Sequence, residues 1–174
     1  LPAYAVSIAA TVEDPDAFAD GRRGIAAAVY SPRSDEMFDA WLGGGARLNG
    51  EAISISGNLD LGTSLVGTGF GYTVERKLEQ LELLQRVLPH VRDIRRIGSA
   101  AYDLCMTAAG RLDAFYEKRL QPWDYAGAAL IATEAGAEIV GRDDSIPPGE
   151  PLIFVAHPDA VRALRALALG DSER

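Results

Sequence analysis

The spacing of apolar residues changes character near residues 57–65, and that change restricts the fold more than any single motif does. Before it, apolar runs are short and end at turn residues, which is the pattern of strands. Tyr4 to Thr11 (YAVSIAAT) reads as a buried strand, Glu13 to Gly21 as a loop, and Gly24 to Tyr30 (GIAAAVY) as a second strand stopped by Ser31-Pro32. Glu36 to Trp41 (EMFDAW) reads as a third strand. Ala46 to Leu48 and Ala52 to Ser56 flank Asn49-Gly50, a pair suited to the positive φ that both central residues of a tight hairpin need. The first 56 residues are therefore expected to form an antiparallel array. Gly43-Gly44-Gly45 is read as a turn, because a phosphate loop would continue with Gly-Lys-Ser/Thr and open a helix.

Past that point strands alternate with helices. Leu65 to Gly69 predicts a short strand. Leu78, Leu81, Leu84, Leu88 and Val91 recur at spacings of three and four, which predicts an amphipathic helix over Glu75 to Val91. Ile94 to Ile97, Leu112 to Glu117, Ala137 to Val140 and Leu152 to Val155 read as strands. Ser99 to Ala109 reads as a helix with Ser99 as N-cap and Gly110 after its end. Asp124 to Ala135, ended by Gly136, and Pro158 to Leu169 are two more helices. The expected class is α/β (α+β layered), with residues 1–60 in an antiparallel layer and residues 61–174 in an α/β layer.

A net charge of −8 makes nucleic acid and membrane surfaces poor partners. No apolar run reaches the roughly 18–20 residues of a membrane helix. An acidic protein that handles an anionic substrate needs a cation to bridge the two, which points towards a metal. The single cysteine, Cys105, lies in an apolar helical stretch and reads as a buried, inert thiol. Its lack of an internal partner fits a reducing compartment, and the expected location is cytoplasmic. Leu1-Pro2 opens straight into a strand without a methionine, which predicts a piece of a longer sequence.

Three features carry possible chemistry. Gly98-Ser99-Ala100-Ala101 falls at a strand-to-helix junction, where first-turn N–H groups and the helix dipole favour an anion or a hydroxyl oxygen. By itself the junction reads more readily as a simple cap with tight packing. Glu117 closes an apolar strand and is either solvated or an acceptor for sugar hydroxyls. Asp124, in Pro122-Trp123-Asp124, is either a helix-start carboxylate or a hard oxygen ligand for magnesium. Trp123 is expected to pack beneath the turn and fix the direction of Asp124. All three features are expected to meet at one edge of the α/β layer, where strands end and helices begin.

The run IRRIGSAAYDLCMTAAGRLDAFYEKRLQPWDYAGAALIATEAGAEI resembles the C-terminal signature of the inositol monophosphatase family. A GSAA turn, a DA-aromatic-aromatic-E strand and a W-D-x-A-G helix start ending in E-A-G occur in order. YAVSIAA, GIAAAVYSP and GGGARLNGEAISIS extend the resemblance over nearly the whole chain. It implies an αβαβα sandwich of the inositol monophosphatase/fructose bisphosphatase type with its N-terminal part missing. It also implies a lithium-sensitive, Mg2+-dependent phosphatase, a homodimer, acting on a small-molecule polyol phosphate. On this resemblance Asp124 is the catalytic residue, ligating magnesium and touching a substrate hydroxyl. Glu117 hydrogen-bonds the inositol ring, and Gly98, Ser99 and Ala100 form the substrate-contacting turn.

The family's Glu-Glu and D-P-x-D-G-T metal motifs should precede YAVSIAA, and neither is present. The isolated chain is accordingly expected to be inactive. Histidinol phosphate or another sugar phosphate is an alternative substrate, and a non-catalytic binding module an alternative role. Arg95, Arg96 and Arg119 are candidates for binding a bisphosphate or are plain surface. His90 and His157 lack metal-ligand spacing and read as structural or surface residues.

Overall fold

Strand alternation builds the first sheet. Its strands are β1 (Val6–Glu13), β2 (Arg22–Ser31), β3 (Glu36–Trp41), β4 (Ala46–Leu48) and β5 (Glu51–Ile53), in an antiparallel β1-β2-β3-β4-β5 meander. The structure is a computed structural model that describes residues 3–170; Leu1 and Pro2 lie outside it. Asn49 and Gly50 take φ of 50° and 84° between β4 and β5, as the hairpin reading requires. Asn49 Oδ1 also accepts from the Met37 N–H at 2.8 Å, tying the turn to β3. The triple-glycine turn between β3 and β4 does bind an anion, but the anion is the chain's own. The N–H groups of Gly43 and Gly45 each donate to Glu134 at 2.8 Å.

One face of this sheet is buried through Val29, Phe38, Ala40 and Ala46. Tyr4 to Thr11 was expected to be buried throughout, and only its alternate side chains turn inward. Val6 and Ile8 remain 53% and 65% exposed, because β1 is an edge strand whose outer face carries no layer among the described residues.

The second sheet contains β6 (Leu65–Thr68), β7 (Asp93–Arg95), β8 (Ala114–Lys118), β9 (Glu138–Val140) and β10 (Leu152–Ala156). Their order is β7-β6-β8-β10-β9. β6 runs parallel to β7 and β8, whereas β10 runs antiparallel to β8 and β9. The helices are α1 (Val74–Val87), α2 (Ala100–Ala108), α3 (Pro122–Glu134) and α4 (Pro158–Leu169). α1 stops short of the expected Val91, and Leu88–His90 form a tighter turn around Pro89, which has no N–H to continue the ladder. The strand expected from Leu112 begins at Ala114, since Asp113 is held in the preceding turn by accepting from the Leu65 N–H and the Ser56 hydroxyl.

Helices α2 and α3 lie between the sheets. Leu104, Cys105 and Ala108 of α2, with Ala128, Ile131 and Ala132 of α3, share a core with Phe38 below and with Phe115, Ile153 and Val155 above. A helix filled on both sides by sheets has no polar stripe, and Ala-rich α3 fits that narrow space. The other face of the second sheet buries Val66, Tyr116 and Phe154 against Leu83 and Val87 of α1 and Val161 and Leu164 of α4. The described residues thus stack as sheet, helices, sheet, helices, consistent with the expected α/β sandwich.

Candidate active site

Period-two alternation decides where Glu117 points. On β8, Ala114 and Tyr116 face the α1/α4 core, while Phe115 faces α2 and α3. Glu117 shares the Phe115 face, one step past the apolar core, at the end of the strand. It is 9% exposed. Burial pushes its carboxyl up to about 7, with the charges of Asp103 and Asp124 adding to the rise and Arg96 opposing it. Gly69, just after β6, lets this carboxylate in: a methyl group there would lie 2.2 Å from Glu117 Oε2. From the opposite face, buried Gln80 of α1 holds the strand ends together. It donates to Thr68 Oγ1 at 2.7 Å and accepts from the Lys118 N–H at 3.1 Å.

The starts of α2 and α3 reach the same place. Ser99 occupies the N-cap position of α2 with extended backbone, but its side chain makes no capping hydrogen bond. The first-turn N–H groups therefore receive no cap from Ser99, and Ser99, Ala100 and Ala101 line the opening. Asp124 sits in the first turn of α3, where Oδ2 accepts from the Gln121 N–H at 2.9 Å. Oδ1 accepts no hydrogen bond among the described residues, so one oxygen anchors the carboxylate and the other is available. Gly98, Ser99, Ala100, Glu117 and Asp124 all line a single cavity of about 540 Å³. The edge-of-sheet convergence expected from the sequence is present.

A model of the inositol monophosphatase family matches residues 1–169. The chain belongs to the inositol monophosphatase family. An inositol-1-monophosphatase SuhB of Mycobacterium tuberculosis is 49% identical over 144 residues, 80% of this chain and 47% of the relative. A Nus factor SuhB of Escherichia coli is 35% identical over 170 residues, 95% of this chain and 60% of the relative. The solved structure of Mycobacterium tuberculosis SuhB superposes with a TM-score of 0.82 at 44% identity, covering 97% of this chain and 65% of that one. The chain thus spans about half the length of the mycobacterial relative.

Within this inositol monophosphatase fold, one sequence expectation needs correction. Trp123 does not pack beneath the turn. It is 74% exposed at the cavity mouth, because the helix begins at Pro122, two residues earlier than expected, and swings the indole outward. Of the arginines left open between the two readings, Arg96 is exposed and lines the cavity. β7 ends at Arg95, whose side chain pairs back to Asp93, while Arg96 turns into the cavity. Arg119 also lines the cavity but is committed to Glu79 through two hydrogen bonds of 2.7 and 2.8 Å. His157 caps α4, its Nδ1 accepting from the Asp159 N–H, and Cys105 is buried, as expected. No helix among the described residues is long and apolar enough to cross a membrane.

Asp103 was missed. It is 1% exposed in α2, directly behind the Gly98–Ser99 turn, and its Oδ1 has no hydrogen-bond partner. Its signal in the sequence was a lone acid in the apolar run AAYDLCM. Burial pushes its carboxyl up to about 7, against the opposing pull of the Gly98, Ser99 and Ile97 N–H groups and the charge of Arg96. A carboxyl whose folded pKa exceeds its unfolded value stabilises the protonated fold. That stability is full below about pH 4 and is lost as pH rises towards about 7. Asp103→Asn cannot ionise and so removes this loss at high pH. The variant is expected to melt at a higher temperature than the parent at pH 8, with the advantage shrinking towards pH 4. Thermal unfolding at the two pH values checks this, and an equal gain at both would contradict it.

The family implies a metal. Asp124 fits one ligand position, with an anchored carboxylate and an unclaimed oxygen on a polar cavity. No group of three or more His, Cys, Asp or Glu suited to a metal occurs among the described residues. Magnesium takes about six oxygen ligands, several of them water, so these residues supply part of a site and no more.

Proposed function

We propose that this chain forms one wall of the active site of a magnesium-dependent phosphomonoesterase acting on inositol monophosphate or a similar small polyol phosphate. The convergence of Glu117, Asp124 and the uncapped start of α2 on one cavity is the observation that carries this reading. Asp124 Oδ1 would hold one metal ion, with further ligands coming from the part of the family fold that this chain does not span. Magnesium, when bound, would polarise the phosphate and lower the pKa of a coordinated water. The Ala100 N–H and the Ser99 hydroxyl would orient the substrate. Glu117 would accept hydrogen bonds from ring hydroxyls, more strongly above its pKa of about 7, where it is ionised. Lithium sensitivity, a homodimeric state and a cytoplasmic location belong to the same proposal.

Glu117→Gln keeps the shape and removes the charge. A hydrogen bond to a charged group contributes about 1.5–3 kcal/mol, so KM for inositol 1-phosphate is expected to rise roughly tenfold or more. kcat should change less, as steady-state kinetics would report. A large fall in kcat at unchanged KM would instead move Glu117 into the chemical step.

The Escherichia coli relative's name favours a second reading, a binding module without turnover. The higher identity to the mycobacterial inositol-1-monophosphatase favours the enzyme. Phosphate release from inositol 1-phosphate by the full-length protein, with and without magnesium, separates the two. Magnesium-dependent release inhibited by lithium supports the phosphatase. No release from metal-loaded full-length protein across inositol, histidinol and sugar phosphates favours the binding module.

A further inference from the structure

Two carboxyl groups are buried among the described residues, Glu117 on the cavity wall and Asp103 behind it. Helical side chains lean towards the start of their helix, so Asp103 reaches back over the turn that precedes α2. The N–H groups of Gly98, Ser99 and Ile97 favour its charged form, yet its Oδ1 has no hydrogen-bond partner. Glu117 comes to the same place from β8, since it shares the face of Phe115 that packs on α2. The positive charge of Arg96 acts on both carboxyls, and the charge of Asp103 acts on Glu117. Asp124 of α3 adds a second like charge on Glu117. The other charged groups nearby are engaged elsewhere. Glu36 of β3 accepts from Tyr102 and Arg111 on the far side of α2, and Lys118 and Arg119 pair with Glu79 of α1. Neither buried carboxyl forms an ion pair of its own among the described residues. Two acids buried this close cannot both ionise near neutral pH without a cost.

We propose that Asp103 is a positioning residue that holds one proton jointly with Glu117, and so sets the pH at which Glu117 becomes the ionised acceptor for a ring hydroxyl. This rests on the phosphatase reading and deepens it. The proton belongs to the pair, not to either acid. With the proton on Asp103, Glu117 is a full carboxylate and accepts strongly. With the proton on Glu117, the group that faces the substrate is a neutral acid and a weaker acceptor. Asp103 does not line the cavity, so it acts through Glu117 and touches no substrate. Replacing its carboxyl by an amide of the same shape removes one of the two like charges that oppose ionisation of Glu117, which then ionises at lower pH. An Asp103 that only braced the turn would leave the titration of Glu117 where it is.

The test uses the full-length protein and its D103N variant, with thermal unfolding to verify that both are folded. Glutamate carboxyls are labelled with carbon-13, and the Glu117 resonance, identified by its loss in E117Q, is titrated without metal or substrate. Its midpoint is expected to fall by about one pH unit in D103N. An unchanged or higher midpoint overturns the pair, whatever the protein catalyses. The second readout is the pH dependence of KM for inositol 1-phosphate with magnesium. At about pH 6, KM is expected to be roughly threefold lower in D103N than in wild type, with the two converging above about pH 8 and kcat changing less. A lowered midpoint with an unchanged pH dependence of KM overturns the positioning role. If no phosphate is released, the phosphatase reading fails by itself, and calorimetric affinity for inositol 1-phosphate takes the place of KM with the same criteria.

Discussion

Asp124→Asn in the full-length protein is expected to lower kcat for inositol 1-phosphate by roughly 10³-fold while leaving the melting temperature nearly unchanged. The substitution is clean because the two carboxylate oxygens have separate tasks. Oδ2 accepts from the Gln121 N–H and fixes the start of α3, and an asparagine carbonyl can take over that hydrogen bond. What asparagine cannot supply is the negative charge at the oxygen facing the cavity, where a hard cation needs it. Single-turnover kinetics and a thermal melt on the same preparation read both effects. Wild-type turnover in the variant would remove Asp124 from the metal site. A collapse of stability would mean that its main role is to cap the helix.

Phe38→Ala is expected to cost about 3–5 kcal/mol of folding stability. Phe38 is fully buried on the inner face of the first sheet, with Tyr102 of α2 edge-on at 6.2 Å between ring centroids. It belongs to the core that joins this sheet to the helical layer and the second sheet. A cavity there loosens the platform from which α2 and α3 present Ser99 and Asp124. A domain of ordinary stability, about 5–15 kcal/mol, would lose a large share of it. Denaturant unfolding measures the loss, and a cost below about 1 kcal/mol would show that the layers repack around the gap.

The sequence showed most of the fold because its signals are local. The Asn49-Gly50 turn, the three-four periodicity that makes α1 a helix, and the glycines after α2 and α3 each specify their own few residues; the face α1 buries is nevertheless Gln80, Leu83 and Val87, and Leu78, Leu81 and Leu88 stay exposed. That Glu117, Ser99 and Asp124 meet at one cavity was legible for a related reason: strand ends and helix starts are places where backbone geometry aims groups outward. The parts that were not legible depend on neighbours distant in sequence. Burial of Asp103 comes from the sheet packed on α2, and Gln80 gains its role only when α1 lies over the ends of β6 and β8. Arg95 and Arg96 differ by one position, and the pairing of β7 with β6 decides which enters the cavity. Trp123 looked like a packing residue because tryptophan usually is one, yet the helix begins early enough to leave it in solvent.

The most direct test of the site is a crystal structure of the full-length protein with magnesium and inositol 1-phosphate. The account predicts a metal about 2.1 Å from Asp124 Oδ1, Glu117 within hydrogen-bond distance of a ring hydroxyl, and the start of α2 facing the substrate. A metal and substrate bound elsewhere, with the Glu117–Asp124 cavity holding only water, would contradict it.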